Sequence, residues 1–279
     1  MANISLVKCP LLKQDKGEFR FSVEIFEQGY KTAIASKLRP RGIILVNPHN
    51  PLGDVYDEAT IQPVLEFAAE KQLHVIVDEI YALSVFSNEK SFQSVLNYAS
   101  LPDPIRTHFL WSFSKDFALS GTRIGVLYAG SVEACTIGSK LNFLMVPSVA
   151  IQNTLQSILH DREWTRAYIQ LNQSRLTQKY EKVKKQIEQI DQNIRVRNAQ
   201  AGLFLWIDFS SMLHHVTFDE ETRLFQTMFD HGIYITKGSI FDCSQPGWFR
   251  LIFTVRDKWI DEGIERMRKA LNTYRASSV

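Results

Sequence analysis

The first half of the chain contains several short apolar runs, and an amphipathic segment separates the first two of them. Because the runs are short, rich in β-branched residues and almost free of polar interruptions, they are typical of strands buried on both faces of a sheet. After the first run, apolar residues recur at helical spacing, which predicts a helix over residues 57–72. This order of elements favours a largely parallel sheet with helices on both faces. The predicted strands are residues 43–46, 74–77, 107–111 and 124–129.

The second half of the chain has a different pattern. From residue 149 to residue 190 the sequence is helix-prone, with few Gly or Pro residues. Shorter strand-like and helical segments then alternate, which predicts a compact α+β unit. Its predicted elements are strands over residues 202–207, 233–235 and 249–253 and helices over residues 219–231 and 258–275.

The composition is that of an ordinary globular protein, with 279 residues of which 45% are hydrophobic and 22% charged. The formal net charge of +2 argues against a nucleic-acid surface, which needs clustered positive charge. No apolar run approaches the about 20 residues of a membrane span, and the first residues lack the pattern of a secretion signal. Three widely spaced cysteines suit free thiols in a reducing compartment. We therefore expect a cytoplasmic protein without nucleic-acid or membrane partners.

Polar motifs follow the predicted strands at their carboxyl ends, where parallel α/β sheets bind ligands. Residues 47–53, Asn-Pro-His-Asn-Pro-Leu-Gly, follow the first strand, and residues 78–81, Asp-Glu-Ile-Tyr, follow the second. Residues 112–115, Ser-Phe-Ser-Lys, follow the third, and Arg123 comes eight residues later. Each motif alone is compatible with a stiff turn, a helix cap or an exposed loop. Their succession at neighbouring strand ends favours a binding site.

Other kinds of site are not indicated by the sequence. The histidines have no metal-ligand spacing, and neither an HExxH motif nor paired CxxC motifs occur. A Walker-type glycine-rich loop and a GxGxxG motif are also missing. The sequence therefore predicts no metal site.

The three motifs, taken in order, resemble those of the fold-type I enzymes that use pyridoxal 5′-phosphate (PLP). The shared patterns are Asn-Pro-x-Asn-Pro-x-Gly, Asp-Glu-x-Tyr, and Ser-x-Ser-Lys followed by Gly-x-Arg. Among these enzymes, which include the class I/II aminotransferases, the chain is similar to the 1-aminocyclopropane-1-carboxylate (ACC) synthases and their homologues, from about residue 43 to about residue 253. The segments that carry this similarity are residues 50–53, 77–81, 84–86, 114–116 and 246–250.

The resemblance implies an aminotransferase-like α/β fold with two domains. Residues 1–165 would form the later part of the PLP-binding large domain, with a mostly parallel sheet and the start of the interdomain helix. Residues 166–279 would form a smaller α+β domain. The resemblance also implies a homodimer in which two chains share each active site, and an amino-acid or S-adenosylmethionine-like substrate.

The resemblance assigns the catalytic role to Lys115, which would form a Schiff base with the aldehyde of PLP and later move the α-proton of the substrate. Asp78 would pair with the pyridine nitrogen and keep it protonated, so that the ring accepts carbanion electrons. Asn50 and Tyr81 would donate hydrogen bonds to the 3′-oxygen of the ring and stabilise its anion.

The remaining roles concern the phosphate and the substrate. Ser112 and Arg123 would hold the phosphate, a task suited to a hydroxyl group and a guanidinium fork. Arg250 would bind the α-carboxylate of the substrate through two parallel hydrogen bonds. Its neighbours Phe249 and Leu251 predict that it lies on a partly buried strand.

Two features depart from the family pattern. Family members are longer chains, and this chain resembles their later portion, so the resemblance implies that the first strands of the sheet, a phosphate-binding turn and a ring-stacking aromatic residue are missing. Residues 116–123 carry Ala, Ser and Thr where the ACC synthases typically have Gly, Pro and an aromatic residue. We therefore expect this chain by itself to have unpaired strand edges, to hold PLP weakly and to turn over little substrate.

Three functions remain open at this point. In ACC synthases, the carbanion at Cα displaces the sulfonium leaving group from Cγ of S-adenosylmethionine and closes a three-membered ring. Because the same lysine, aspartate and arginine support transamination, an aminotransferase acting on another amino acid is an alternative. The third is a catalytically inactive homologue that serves dimerisation or partner binding.

Overall fold

The computed structural model describes residues 4–13, 19–87, 91–142 and 145–277. These residues form two compact units. The first unit comprises the described residues up to 48 together with 55–85 and 91–169, and the second comprises 49–54, 86–87 and the residues from 170 onward.

Six strands belong to the first unit. They are β1 (Leu12–Lys13), β2 (Phe19–Arg20), β3 (Gly42–Val46), β4 (His74–Asp78), β5 (Thr107–Ser112) and β6 (Gly125–Ala129). β1 and β2 form a separate antiparallel pair, and the main sheet has the order β3-β4-β5-β6. β3, β4 and β5 are parallel, whereas β6 runs antiparallel to β5. The predicted α/β class with a mostly parallel sheet is confirmed, and each predicted strand of this sheet is present.

β6 lies at one edge of the main sheet. Val126, Leu127 and Tyr128 of this strand are 45%, 52% and 55% exposed. The strand contains neither a charged residue nor a proline. An apolar edge strand of this kind is prone to pair with another chain.

The helices of the first unit include one that continues into the second. They are α1 (Val23–Ala35), α2 (Glu58–Glu70), α3 (Phe113–Asp116), α4 (Val132–Asn142), α5 (Val149–His160) and α6 (Arg162–Glu188). The predicted helix-prone stretch over residues 149–190 is thus divided between α5 and α6. The division occurs at Asp161, because its carboxylate accepts a hydrogen bond from the backbone N–H of Trp164 at 2.9 Å and so caps a new helix.

α2 forms where the apolar periodicity predicts it. Asp57 caps the helix, since its Oδ1 accepts the backbone N–H of Thr60 at 3.0 Å. The four apolar positions of its predicted inner face are buried against apolar residues of β3 and β4; they are Ile61, Val64, Leu65 and Ala68.

The second unit is an antiparallel sheet with helices. Its further elements are β7 (Arg195–Val196), β8 (Phe204–Asp208), α7 (Phe218–Asp230), β9 (Thr236–Lys237), β10 (Trp248–Ile252) and α8 (Asp257–Ala276). The sheet has the order β7-β8-β10-β9. Its core contains fully buried aromatic side chains, among them Phe209, Phe249 and Phe253.

One predicted strand of the second unit is wrong. Residues 233–235 form no strand, and β9 begins at Thr236 instead. Ile233 and Ile235 are buried on either side of exposed Tyr234, so the alternation that suggested a strand is present. However, only Thr236 and Lys237 form hydrogen-bonded pairs with β10. Alternating burial shows which side chains face the core, but it does not show whether the backbone pairs with a neighbouring strand.

Membrane spans and metal-binding clusters do not occur among the described residues. Across the parts of the chain that the structure covers, no helix combines the length and the apolar character needed to cross a membrane. Nor do three or more histidine, cysteine or carboxylate side chains of these parts form a group able to hold a metal ion. The three cysteines are free thiols, and burial raises the pKa of Cys243 to about 11.

Candidate functional site

The carboxyl end of β4 carries Asp78. Its half-buried carboxylate accepts the backbone N–H of Ile80 through Oδ1 at 3.1 Å. Burial raises the pKa of Asp78, and the hydrogen bond from Ile80 opposes this effect. In the sheet, Asp78 pairs in register with Leu110 of the parallel neighbour β5. The carboxylate is therefore fixed at the strand end that the sequence predicts for the site.

Glu79, the next residue, has a different environment. It is 1% exposed, and its Oε1 accepts the backbone N–H of Val95 at 2.7 Å. Its Oε2 has no hydrogen-bond partner among the described residues. Burial raises the pKa of Glu79 to about 7. Glu79 thus ties the end of β4 to the short 3-10 helix Val95–Asn97.

We expect a Glu79→Gln variant to be more stable than the unmodified chain at about pH 8, by an amount of order 2 kcal/mol. The pKa of Glu79 is higher in the folded state than in the unfolded state. Between the two values the folded state keeps a proton that the unfolded state releases, so the stability contribution of Glu79 is lost as the pH rises. The glutamine retains an oxygen for Val95 and removes this loss.

The measurement is urea unfolding at about pH 5 and about pH 8. Glu133→Gln, at an exposed position of α4, is the control and should give no such pH-dependent difference. An equal effect of Glu79→Gln on stability at both pH values would contradict the raised pKa of Glu79 in the folded state.

Tyr81 follows on the turn after β4. Its side chain is 5% exposed, and its carbonyl oxygen accepts the backbone N–H of Ser84 at 3.0 Å. The turn holds Tyr81 in the same segment as Asp78, as the predicted motif requires.

The carboxyl end of β5 carries Ser112 and Lys115. Ser112 caps the four-residue helix α3, because its Oγ accepts the backbone N–H of Ser114 at 3.2 Å. Lys115 is half-buried on this helix, and its ammonium group has neither a hydrogen bond nor an ion pair with any residue in the described ranges. A primary amine is therefore available close to the strand end.

Arg123 follows a short 3-10 helix, Ser120–Thr122. Its φ of 57° lies in the left-handed region, which is uncommon for a residue other than glycine. Its guanidinium Nη1 donates to the carbonyl oxygen of Ser120 at 3.1 Å, and the side chain is exposed. Arg123 and Ser112 belong to the same unit as Asp78, Tyr81 and Lys115.

Two further predicted residues, Asn50 and Arg250, contact each other in the second unit. Nη1 of Arg250 donates to Oδ1 of Asn50 at 2.8 Å. The guanidinium lies 4.5 Å from the ring centroid of Phe241 and 5.5 Å from that of Phe204. Arg250 lies on β10 between buried Phe249 and Leu251, so the predicted partly buried strand is confirmed.

The turn that carries Asn50 depends on Gly53. The backbone N–H of Gly53 donates to the carbonyl oxygen of His49 at 2.8 Å, and its φ is 76°. A Cβ at this position would lie 2.8 Å from the carbonyl oxygen of Ala201. Glycine is therefore required here both by the backbone conformation and by the space.

The side chains of the first unit match the functional groups of PLP. The cofactor has an aldehyde, a pyridine nitrogen and a phosphate, and the corresponding protein groups are an amine, a carboxylate, a hydroxyl and a guanidinium. The amine is that of Lys115 and the carboxylate that of Asp78, while Ser112 supplies the hydroxyl and Arg123 the guanidinium. The amine has no competing partner in the described part of the chain and the carboxylate is fixed at a strand end, so this donor set fits the cofactor.

Sequence reasoning missed one residue of this region, Asp116. It is 2% exposed and its carboxylate accepts hydrogen bonds from Leu83, Ser84 and Trp111. The sequence contains no signal for these contacts beyond the position of Asp116 next to Lys115.

Residues 1–267 match the family model described as aminotransferase class I and II. A curated relative, 1-aminocyclopropane-1-carboxylate synthase-like protein 1 of Takifugu rubripes, is 37% identical over 96% of this chain and 43% of its own length. Another, named "Probable inactive 1-aminocyclopropane-1-carboxylate synthase-like protein 2", from Mus musculus, is 36% identical over 92% of this chain and 44% of its own length. The chain thus spans less than half the length of these two relatives.

The fold of this chain also resembles that of solved structures. The PLP-bound C-S lyase from Staphylococcus hominis superposes with a TM-score of 0.76 at 17% identity, covering 94% of this chain and 64% of the lyase. At this identity the likeness concerns the fold alone.

Proposed function

The chain belongs to the class I and II aminotransferase family, and we propose that it binds PLP covalently through Lys115 and acts on an amino-acid substrate by ACC synthase-like chemistry. PLP is the cofactor of this family, and it supplies an electron sink for a carbanion at the α-carbon of the substrate. The observation that carries the proposal is the amine of Lys115, half-buried and without a polar partner in the described residues, at the carboxyl end of β5.

The residues of the first unit would each hold one part of the cofactor. The carboxylate of Asp78 would accept the proton of the pyridine nitrogen, and this ion pair would favour the ionised carboxylate against the burial that raises its pKa. The hydroxyl group of Ser112 and the guanidinium of Arg123 would bind the phosphate. Tyr81 would donate its phenolic hydrogen to the 3′-oxygen of the ring. Lys115 would also move the proton of the substrate α-carbon.

Arg250 and Asn50 would serve the substrate and the ring. In the structure Asn50 accepts a hydrogen bond from Arg250 through Oδ1, so its amide N–H groups remain the donors for the 3′-oxygen. The guanidinium of Arg250 would bind the α-carboxylate of the substrate. Its position over the Phe241 ring restricts its rotation, which favours a fixed fork geometry.

We expect an Arg250→Ala variant to bind amino-acid substrates about 100-fold more weakly, because it removes a charge-assisted pair of hydrogen bonds. The visible absorbance of the bound cofactor should not change. The measurement is a titration of the PLP-loaded chain with substrate, followed by absorbance.

Arg256→Ala is the matched control, since this arginine also lies over an aromatic ring, that of Trp259 at 5.8 Å. The control should bind substrate as the unmodified chain does. Loss of the cofactor from the Arg250 variant would contradict the proposed carboxylate role.

The reaction is identified by its products. Cyclisation of S-adenosylmethionine removes the α-proton, breaks the bond between Cγ and sulfur with its electron pair leaving on methylthioadenosine, and forms a bond between Cα and Cγ. Transamination would instead yield a 2-oxo acid. The PLP-loaded chain is incubated with S-adenosylmethionine and with common amino acids, and both products are assayed. Release of methylthioadenosine supports the proposal, and a 2-oxo acid favours an aminotransferase.

The name of the Mus musculus relative, which contains the words "Probable inactive", favours a second candidate, a catalytically inactive homologue that serves dimerisation or partner binding. Covalent attachment at Lys115 without either product would support this candidate.

We further propose that the chain forms a homodimer. Sedimentation analysis of the purified chain tests this proposal, because a dimer has twice the mass of the 32.1 kDa chain.

A further inference from the structure

Asp116 is a buried carboxylate at the end of α3. Its Oδ1 accepts the hydroxyl group of Ser84 at 2.6 Å, and its Oδ2 accepts the backbone N–H of Leu83 at 3.1 Å and the indole N–H of Trp111 at 2.8 Å. Burial raises the pKa of Asp116 to about 6, although all these hydrogen bonds favour the ionised form. A carboxylate is retained at 2% exposure only when donors compensate for its lost hydration.

The donors come from two separate segments of the first unit. Leu83 and Ser84 belong to the turn after β4, the turn that also carries Tyr81. Trp111 belongs to β5, directly before Ser112. One carboxylate therefore ties the segment that follows Asp78 to the segment that carries Lys115.

α3 needs such ties because it is too short to be stable alone. It has four residues, a single helical turn, and a single turn fixes several dihedral angles for one hydrogen bond. The hydroxyl group of Tyr168 on α6 donates to the backbone carbonyl of Asp116 at 3.1 Å, and the ring of Tyr168 stacks on Phe117 at 5.0 Å. The direction of the Lys115 side chain thus follows from contacts made by the residues after it.

We propose that Asp116 is a positioning residue that sets the place of Lys115 relative to Asp78, by joining the turn after β4 to α3 through its buried carboxylate. This inference rests on the proposed function, in which Lys115 and Asp78 hold opposite ends of one cofactor. Asp116 itself takes no part in the bond to PLP. Loss of its carboxylate should slow the covalent attachment of PLP to Lys115, whereas a change that only lowers the stability of the same unit should leave this rate unchanged.

The test uses the full chain at about pH 8, above the pKa of about 6 of Asp116, so that its carboxylate is ionised. The rate of covalent attachment is followed by absorbance after addition of PLP, and borohydride reduction with peptide mapping identifies the labelled lysine. Asp116→Ala is expected to lower the rate of labelling at Lys115 about tenfold. In the ligand-free chain, the backbone N–H of Leu83 should exchange with solvent faster, since it loses its acceptor.

Asp116→Asn is the conservative variant. Its amide oxygen can accept from Leu83 and Trp111, and its amide N–H can donate to Ser84, whose hydroxyl group accepts as well as it donates. We expect its labelling rate to equal that of the unmodified chain, because each of the three hydrogen bonds keeps a donor and an acceptor. Asp57→Ala is the control for stability, because it removes the N-cap of α2 in the same unit without touching α3. It should lower the unfolding midpoint and leave the rate unchanged.

The outcomes separate the two proposals. If the unmodified chain shows no labelling of Lys115, the proposed function is wrong and the positioning role falls with it. If the unmodified chain is labelled and Asp116→Ala is labelled at the same rate, only the positioning role is overturned. Should Asp116→Ala fail to fold, Ser84→Ala decides, because it removes one hydroxyl donor to Asp116 and leaves the carboxylate with its hydrogen bonds from Leu83 and Trp111. A rate about threefold lower supports the role, and an unchanged rate overturns it.

Discussion

A Lys115→Ala variant is expected to lose covalent attachment of PLP completely. Alanine has no amine, and attachment of an aldehyde requires one. The change should leave the fold intact, because the Lys115 ammonium has no hydrogen bond or ion pair with the residues that the structure describes. The measurement is borohydride reduction of the PLP-treated chain, with mass analysis of the peptide that contains residue 115.

Lys140→Ala is the matched control for this change. Lys140 is an exposed lysine of α4 in the same unit, so its removal should not alter the labelling of Lys115. Labelling spread evenly over surface lysines in all variants would mean that Lys115 has no special reactivity. The same visible absorbance in Lys115→Ala as in the unmodified chain would contradict the assignment of the catalytic lysine.

The main sheet of the first unit could be predicted because hydrophobic periodicity is a local property of the chain. The runs around residues 43–46 and 74–77 form the strands that they predict. The motifs at their carboxyl ends are the basis of the site that we propose, because parallel α/β sheets bind ligands beyond these ends. The prediction of a strand over residues 233–235 is wrong, because the same periodicity does not distinguish a paired strand from a buried segment without strand pairing.

The ties that hold the candidate residues could not be predicted in this way. Arg250 and Asn50 are 200 positions apart in the sequence, and Asp116 and Ser84 are 32 apart. A single sequence contains no record of such long-range partners. Moreover, charged residues are mostly exposed, so composition favours the surface for carboxylates such as Glu79 and Asp116, which are buried here.

Glu221 in the second unit is a third buried carboxylate of this kind. It lies on α7, is fully buried, and binds the segment between β9 and β10. Its Oε1 accepts the backbone N–H of Ser239 at 3.2 Å and the hydroxyl group of Ser239 at 2.8 Å. Its Oε2 accepts the backbone N–H of Gly247 at 2.8 Å. The segment held in this way includes Phe241, the ring over which the guanidinium of Arg250 lies.

We expect a Glu221→Ala variant to lose about 3 kcal/mol of unfolding free energy, because buried donors at Ser239 and Gly247 are left without an acceptor. Glu221→Gln should lose about half as much, since an amide oxygen in the place of Oε1 still accepts both hydrogen bonds from Ser239, whereas the amide nitrogen cannot accept from Gly247. The measurement is urea unfolding followed by tryptophan fluorescence; two of the five tryptophans of the chain, Trp206 and Trp248, are buried in this unit.

Asp219→Ala separates the effect of these hydrogen bonds from that of removing a negative charge near the start of α7. Asp219 is exposed in the first turn of the same helix, and its loss should cost less than about 0.5 kcal/mol. Because Phe241 restricts the rotation of Arg250, Glu221→Ala should also weaken substrate binding in any PLP-loaded chain that still folds. Equal stability of the Glu221 and Asp219 variants would mean that water replaces the carboxylate without loss, and the link from Glu221 to Arg250 would then be wrong.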